Sequence, residues 1–184
     1  SGDFDLNPLR GRWGYLAGLW HDLGKYRAGF QRYVRLPDNP DAHVEGKVAG
    51  REKTHSAAGA LWAMQILPKP YGNVLAYLIA GHHAGLDDWH GGLSERLQNA
   101  DSQVELNEAL ASQPPESVLA VADFAPDLSK LPGGSEGFAL WVRMLFSCLV
   151  DADFLDTEAH FDSNKPAGRE GFPTLEQLRG TLDV

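Results

Sequence analysis

The sequence predicts an all-α fold. No segment alternates apolar and polar residues over the length of a strand. Several segments are instead apolar at helical spacing, or nearly throughout, and end at a proline, a glycine or a polar cluster. The longest of them, GFALWVRMLFSCLVDADFLDTEA at 137–159, keeps that spacing from end to end.

The elements follow in order. A first helix is expected over 8–20, with Asn7 as its start signal and Pro8 in its first turn, where a missing N–H costs nothing. A short helix over 26–34 comes next, then a turn-rich, charged loop over 36–53. Thr54 is placed to cap a helix over about 55–67, which Pro68 ends. Residues 71–84, YGNVLAYLIAGHHA, form a strongly apolar helix, followed by the loop GLDDWHGG. A polar helix over about 93–111 is broken by SQPPES, and 115–123 forms a short helix. APDLSKLPGGSEG is a loop, and the long helix follows. The tail from 160 onward is loop-like, with a short helix at 174–182.

The 184 residues favour one domain, 1–184, with a single sizeable core. No apolar run nears the roughly 18 residues that a membrane span requires. Residues 1–15 carry Asp3 and Asp5 and no apolar leader segment, so a cytoplasmic protein is expected. Cys148 is the only cysteine, which excludes an intrachain disulfide and suits a reducing compartment. The net charge of −9 argues against gripping nucleic acid through a broad basic surface. It leaves open a nucleic-acid enzyme whose bound cations supply the positive charge.

Each apolar helix carries polar groups that do not belong there. His21 and Asp22 follow Leu16, Leu19 and Trp20; His55 opens HSAAGALWA; His82 and His83 follow Tyr77–Ala80. On the long helix, Asp153 continues the stripe Val142–Phe146–Leu149, whereas Asp151 falls over Met144 and Ser147 on a more mixed face. A lone carboxylate on a buried stripe is costly unless it is paired or bound to a metal. A single histidine on an apolar face is ordinarily a satisfied core residue. Imidazoles and carboxylates recurring on four apolar helices instead point to a mixed nitrogen and oxygen metal site in a helical bundle. The wide ligand spacing and the lack of cysteine ligands disfavour a structural zinc site.

HDLGK, THSAAGA, AGHHAG and FSCLVDADFLDTE, in this order, resemble the HD metal-dependent phosphohydrolase superfamily. The wording is closest to the HD nuclease domain of the CRISPR-associated type I helicase–nuclease, over roughly 12–160. The resemblance implies an HD-type helical bundle with its metal site in the core. It implies two divalent ions, of a transition metal such as Mn, Fe, Ni or Co. His21, Asp22 and Asp153 would hold the first; Asp22 would bridge to the second, completed by His55, His82 and His83. Asp22 and Lys25 would be the catalytic residues, with Lys25 near the phosphate or bracing the site. Members of the family also carry a ligand histidine well before the HD pair. The first histidine here is His21, so the chain reads as lacking that N-terminal ligand helix, with a weakened first metal.

The implied activity is cleavage of single-stranded DNA in CRISPR interference, endo- or exonucleolytic. The implied partners are single-stranded DNA, a CRISPR helicase domain or subunit, and the RNA-guided surveillance complex. No GxxxxGK[ST] phosphate loop occurs, so the helicase part is absent from this chain. Tyr26, Phe30 and Tyr33 recur at helical spacing and suit core packing better than base stacking. Trp89 and His90, in the glycine-rich loop after the histidine doublet, are placed to line an entrance, and Cys148 reads as core. Two other readings stand beside this one: an HD phosphohydrolase of nucleotides or cyclic dinucleotides, and an inactive helical docking module.

Overall fold

The computed structural model describes residues 7–35, 54–121 and 128–161, together with Pro173 and Gln177. Among these residues there are helices and no strand, as the all-α prediction requires. The helices are α1 (Asn7–Trp20), α2 (Ala28–Val34), α3 (Ser56–Ile66), α4 (Tyr71–Gly81), α5 (Ser94–Gln98), α6 (Ala100–Ala111), α7 (Glu116–Leu119) and α8 (Gly134–Phe161). A 3₁₀ turn, Leu23–Tyr26, joins α1 to α2. The chain divides into two compact units, 1–150 and 151–184.

In the first unit, α3 and α4 form the centre. A helix that is apolar all round must be covered all round. Ala57, Ala58, Ala60, Leu61 and Ala63 of α3 are buried, as are Val74, Leu75, Ala76, Leu78, Ile79 and Ala80 of α4. The small residues of α3 let neighbouring backbone come very close. A Cβ at Gly59 would collide with the Trp20 carbonyl oxygen. A Cβ at Gly24 would collide with the backbone of His55. These two glycines seat the end of α1 and the 3₁₀ turn directly on the start of α3.

Fully buried Trp13 and Trp20 anchor α1. Trp13 meets Trp141 of α8 edge to face, with ring centroids 5.0 Å apart. The Trp20 indole N–H donates to the Val118 carbonyl at 2.8 Å, tying α1 to α7. On α8, Val142 and Leu149 are buried and Phe146 is half-buried, so the expected stripe faces the core, while Asp151 is exposed.

Several boundaries differ from the sequence reading. His55, not Thr54, occupies the N-cap position of α3, and its side chain makes no capping bond there. Helix α4 stops at Gly81, so His82 and His83 lie in the turn that follows it. The polar helix is two helices, because Asn99 is extended and its side-chain oxygen accepts from the Ser102 N–H at 2.8 Å. The α5–α6 break is thus a new N-cap inside one polar run. Helix α7 is only four residues long. The long helix begins earlier than expected, at Gly134, where Gly133 (φ +84°) and Gly134 (φ +56°) make a left-handed turn that glycine tolerates. Cys148 is exposed rather than core. Phe30 is buried, whereas Tyr26 is 37% exposed, so only part of that row packs inward. The loop expected over 36–53 lies outside the described residues, as does the tail helix at 174–182 apart from Gln177.

Candidate metal centre

Three chain turns bring the predicted residues together. His21 and Asp22 directly follow α1, His55 immediately precedes α3, and His82 and His83 directly follow α4. Side chains at helix ends escape the regular helical rows, so several can converge from different helices. Ligand-type atoms of His55, His82 and His83 lie within 4.8 Å of one another, and so do those of His21, Asp22 and His82. His82 belongs to both groups. The resemblance assigns the bridging role to Asp22, and its two carboxylate oxygens do face different groups. One lies 3.3 Å from His21 Nε2 and the other 3.5 Å from His55 Nε2.

Hydrogen bonds fix which imidazole nitrogen is available. His21 Nδ1 donates to the Gly18 carbonyl at 2.7 Å, and His82 Nδ1 donates to the Ile79 carbonyl at 2.5 Å. In the neutral ring, each Nε2 is then left with a lone pair. This is the arrangement metal-ligating histidines adopt, the outer N–H held by a backbone carbonyl. His82 is 6% exposed, and its Nε2 has no hydrogen-bond partner among the described residues; nor does Asp22 Oδ1. A buried acceptor without a partner is expensive, and a divalent cation would satisfy both atoms. The donor set of imidazole nitrogens and a carboxylate suits borderline transition metals. The residues therefore fit a metal.

Electrostatics favour the same state. Burial, with the His83 imidazole beside it, pushes the His82 pKa down from 6.5 to about 3. His82 is therefore neutral, the form that can bind a metal. Lys25, at the end of the same turn, sits 3.0 Å from Asp22 Oδ2. It braces the carboxylate, one of the two positions the sequence offered for it.

Asp153 lies on α8 in the second unit, half-buried on the stripe expected for it. Its place among the ligands rests on the family pattern.

Sequence reasoning missed the brace beneath the cluster. Arg27, 2% exposed, donates from Nη1 to the Thr54 carbonyl at 2.8 Å and from Nε to Glu108 at 3.1 Å. Its Nη1 also lies 3.7 Å from Glu105, whose Oε1 accepts the Ala58 N–H of α3 at 2.9 Å. Arginine and glutamate thus lock the α1–α2 turn and the His55 end of α3 onto α6. A signal was present: Ser102, Glu105, Leu106 and Ala109 form one helical stripe, and all four are buried. An acid on that stripe requires a buried cation.

No described helix is long and apolar enough to cross a membrane. No curated protein matches the sequence. The family model described as the HD domain of Cas3 matches residues 5–153, a span that takes in His21, Asp22, Lys25, His55, His82, His83 and Asp153. With most of the chain matched and a histidine–aspartate cluster in its helical core, this protein belongs to the Cas3 HD-domain family, whose function is CRISPR-associated and of the nuclease type.

Proposed function

We propose that this chain is a metal-dependent nuclease that cleaves single-stranded DNA in CRISPR interference, working with a helicase domain or subunit and an RNA-guided surveillance complex. The observation that supports it best is the convergence of imidazole nitrogens and the Asp22 carboxylate, with His82 Nε2 and Asp22 Oδ1 buried and without hydrogen-bond partners among the described residues. His55, His82 and His83 would hold one divalent ion and His21 and Asp22 the other, with Asp22 between them. Asp153 enters through the family pattern. Bound divalent ions supply a water of lowered pKa and charge compensation at the phosphoryl oxygens.

The chain's own residues keep that centre in order. Gly18 and Ile79 hold the outer N–H groups of His21 and His82, so their lone pairs stay aimed inward. Lys25 steadies the Asp22 carboxylate and adds a positive charge that a scissile phosphate can share. No side-chain nucleophile is required. Cys148, which the sequence reading placed in the core, is exposed.

The test is metal analysis with a digest of circular and linear single-stranded DNA in Mn²⁺, Ni²⁺ or Co²⁺. The wild-type chain is expected to retain metal and cut both substrates; Asp22→Ala is expected to lose both properties. An unchanged Asp22→Ala digest overturns the proposal. So does consumption of mononucleotides or cyclic dinucleotides in place of strand cutting.

A further inference from the structure

The first unit contains a concavity that the cluster does not use. It measures about 560 Å³ and opens between α4, the loop Trp89–Leu93 and the first half of α8. This is within the usual range for a small-molecule site of roughly 300–1,000 Å³. Its walls hold three half-buried rings, those of Tyr77, Trp89 and Phe138. Tyr77 and Trp89 meet edge to face at 6.3 Å, which sets one ring across the other and fixes both. Asn73, His90 and Arg143 add polar heads at the same cavity. Asn73 and Arg143 make no side-chain hydrogen bond or ion pair among the described residues.

We propose that this cavity binds one nucleobase and its phosphate from a single strand. The inference rests on the nuclease reading and adds a strand-positioning site to it. Aromatic faces receive a base without regard to its identity. An amide offers a donor and an acceptor to a base edge. Arg143, exposed and without a carboxylate partner among the described residues, supplies a phosphate contact on a chain whose net charge is −9. An apolar peptide would use the rings and leave the amide and guanidinium idle. Tyr77, Trp89 and Arg143 are positioning residues; they place the strand and take no part in bond breaking.

The experiment is equilibrium binding of fluorescein-labelled oligothymidylate to the intact chain in EDTA, so that cutting is absent. Trp89→Ala and Arg143→Glu are each expected to weaken binding about tenfold. Arg143→Glu should also lower the salt dependence, because it removes one phosphate contact. Trp89→Phe should restore most of the affinity, and an abasic strand should bind as weakly as Trp89→Ala binds the normal one. Trp89 also packs on the core, so Arg143→Glu, exposed on α8, is the variant whose fold is not at stake. Unchanged affinity in both variants overturns the proposal. So does full affinity for the abasic strand, or no binding of any oligonucleotide by the intact chain. The Asp22-dependent digest of single-stranded DNA is followed in parallel on the same variants. A failed cavity with an intact Asp22-dependent digest thus differs from a failed nuclease reading.

Discussion

The Nε2 atoms of His55 and His83 lie 2.7 Å apart, although the two residues come from different helix ends and 28 positions separate them in the chain. Two ring nitrogens this close either share one proton or turn both lone pairs toward one cation. Two nitrogens bound to the same ion at about 2.1 Å each would stand only slightly further apart, so the pair is already close to a ligating arrangement.

Removing either ring should therefore cost metal. Loss of a residue that merely orients a ligand lowers metal affinity about 10–100-fold, so His55→Ala and His83→Ala should each lower it by at least that much. Titration calorimetry with Mn²⁺ measures the loss. Retention of wild-type affinity by both variants would remove them from the ligand set.

Acid should destabilise the metal-free protein through His82. Its folded pKa of about 3 lies below the ordinary 6.5, so between these values the unfolded chain binds the additional proton. Stability from this group is present above pH 6.5 and is lost progressively as the pH falls toward 3. At 1.36 kcal/mol per pH unit, the loss from pH 6.5 to pH 5 is about 2 kcal/mol. Urea unfolding in EDTA at both pH values checks this. His82→Asn should show a shallower pH dependence than the wild type.

Adding one methyl group at Gly24 should disturb both stability and the centre. The new Cβ would overlap the His55 backbone, which cannot swing aside as a side chain could. Gly24→Ala is expected to cost at least about 1–3 kcal/mol, the range for overpacking. It should also weaken metal binding, since the displaced residue is His55. Thermal unfolding with metal titration on the same variant follows both effects.

The Arg27 brace should respond asymmetrically. Glu105→Ala leaves a buried guanidinium short of charge compensation, and breaking a buried pair this way costs about 3–5 kcal/mol. Replacing both partners, as in Arg27→Met with Glu105→Leu, should recover much of that stability. Denaturant unfolding of the single and double variants decides it. A double variant as unstable as Glu105→Ala would show that the Thr54 and Ala58 contacts, rather than the charge pair, carry the brace.

Local sequence patterns determined much about this protein. The all-α class followed from apolar spacing, because a helix buries a stripe and a strand buries alternate residues. The cluster was legible because His21, Asp22, His55, His82 and His83 interrupt apolar runs, and such interruptions need compensation. What the tertiary structure alone decided was proximity and exchange of partners. Gly24 and Gly59 stand within HDLGK and THSAAGA, but nothing local shows that close backbone approach depends on their lacking a Cβ. The doublet was expected within a helix, but α4 ends at Gly81, and the turn swings both rings toward His55. Asn99 split a continuous polar run because its side chain competes for the Ser102 N–H. Arg27 and Glu105 are unremarkable as charged residues until folding buries them against each other. Burial, orientation and long-range approach are properties of the packed chain. A local pattern fixes which side a residue prefers, and only packing fixes what it meets there.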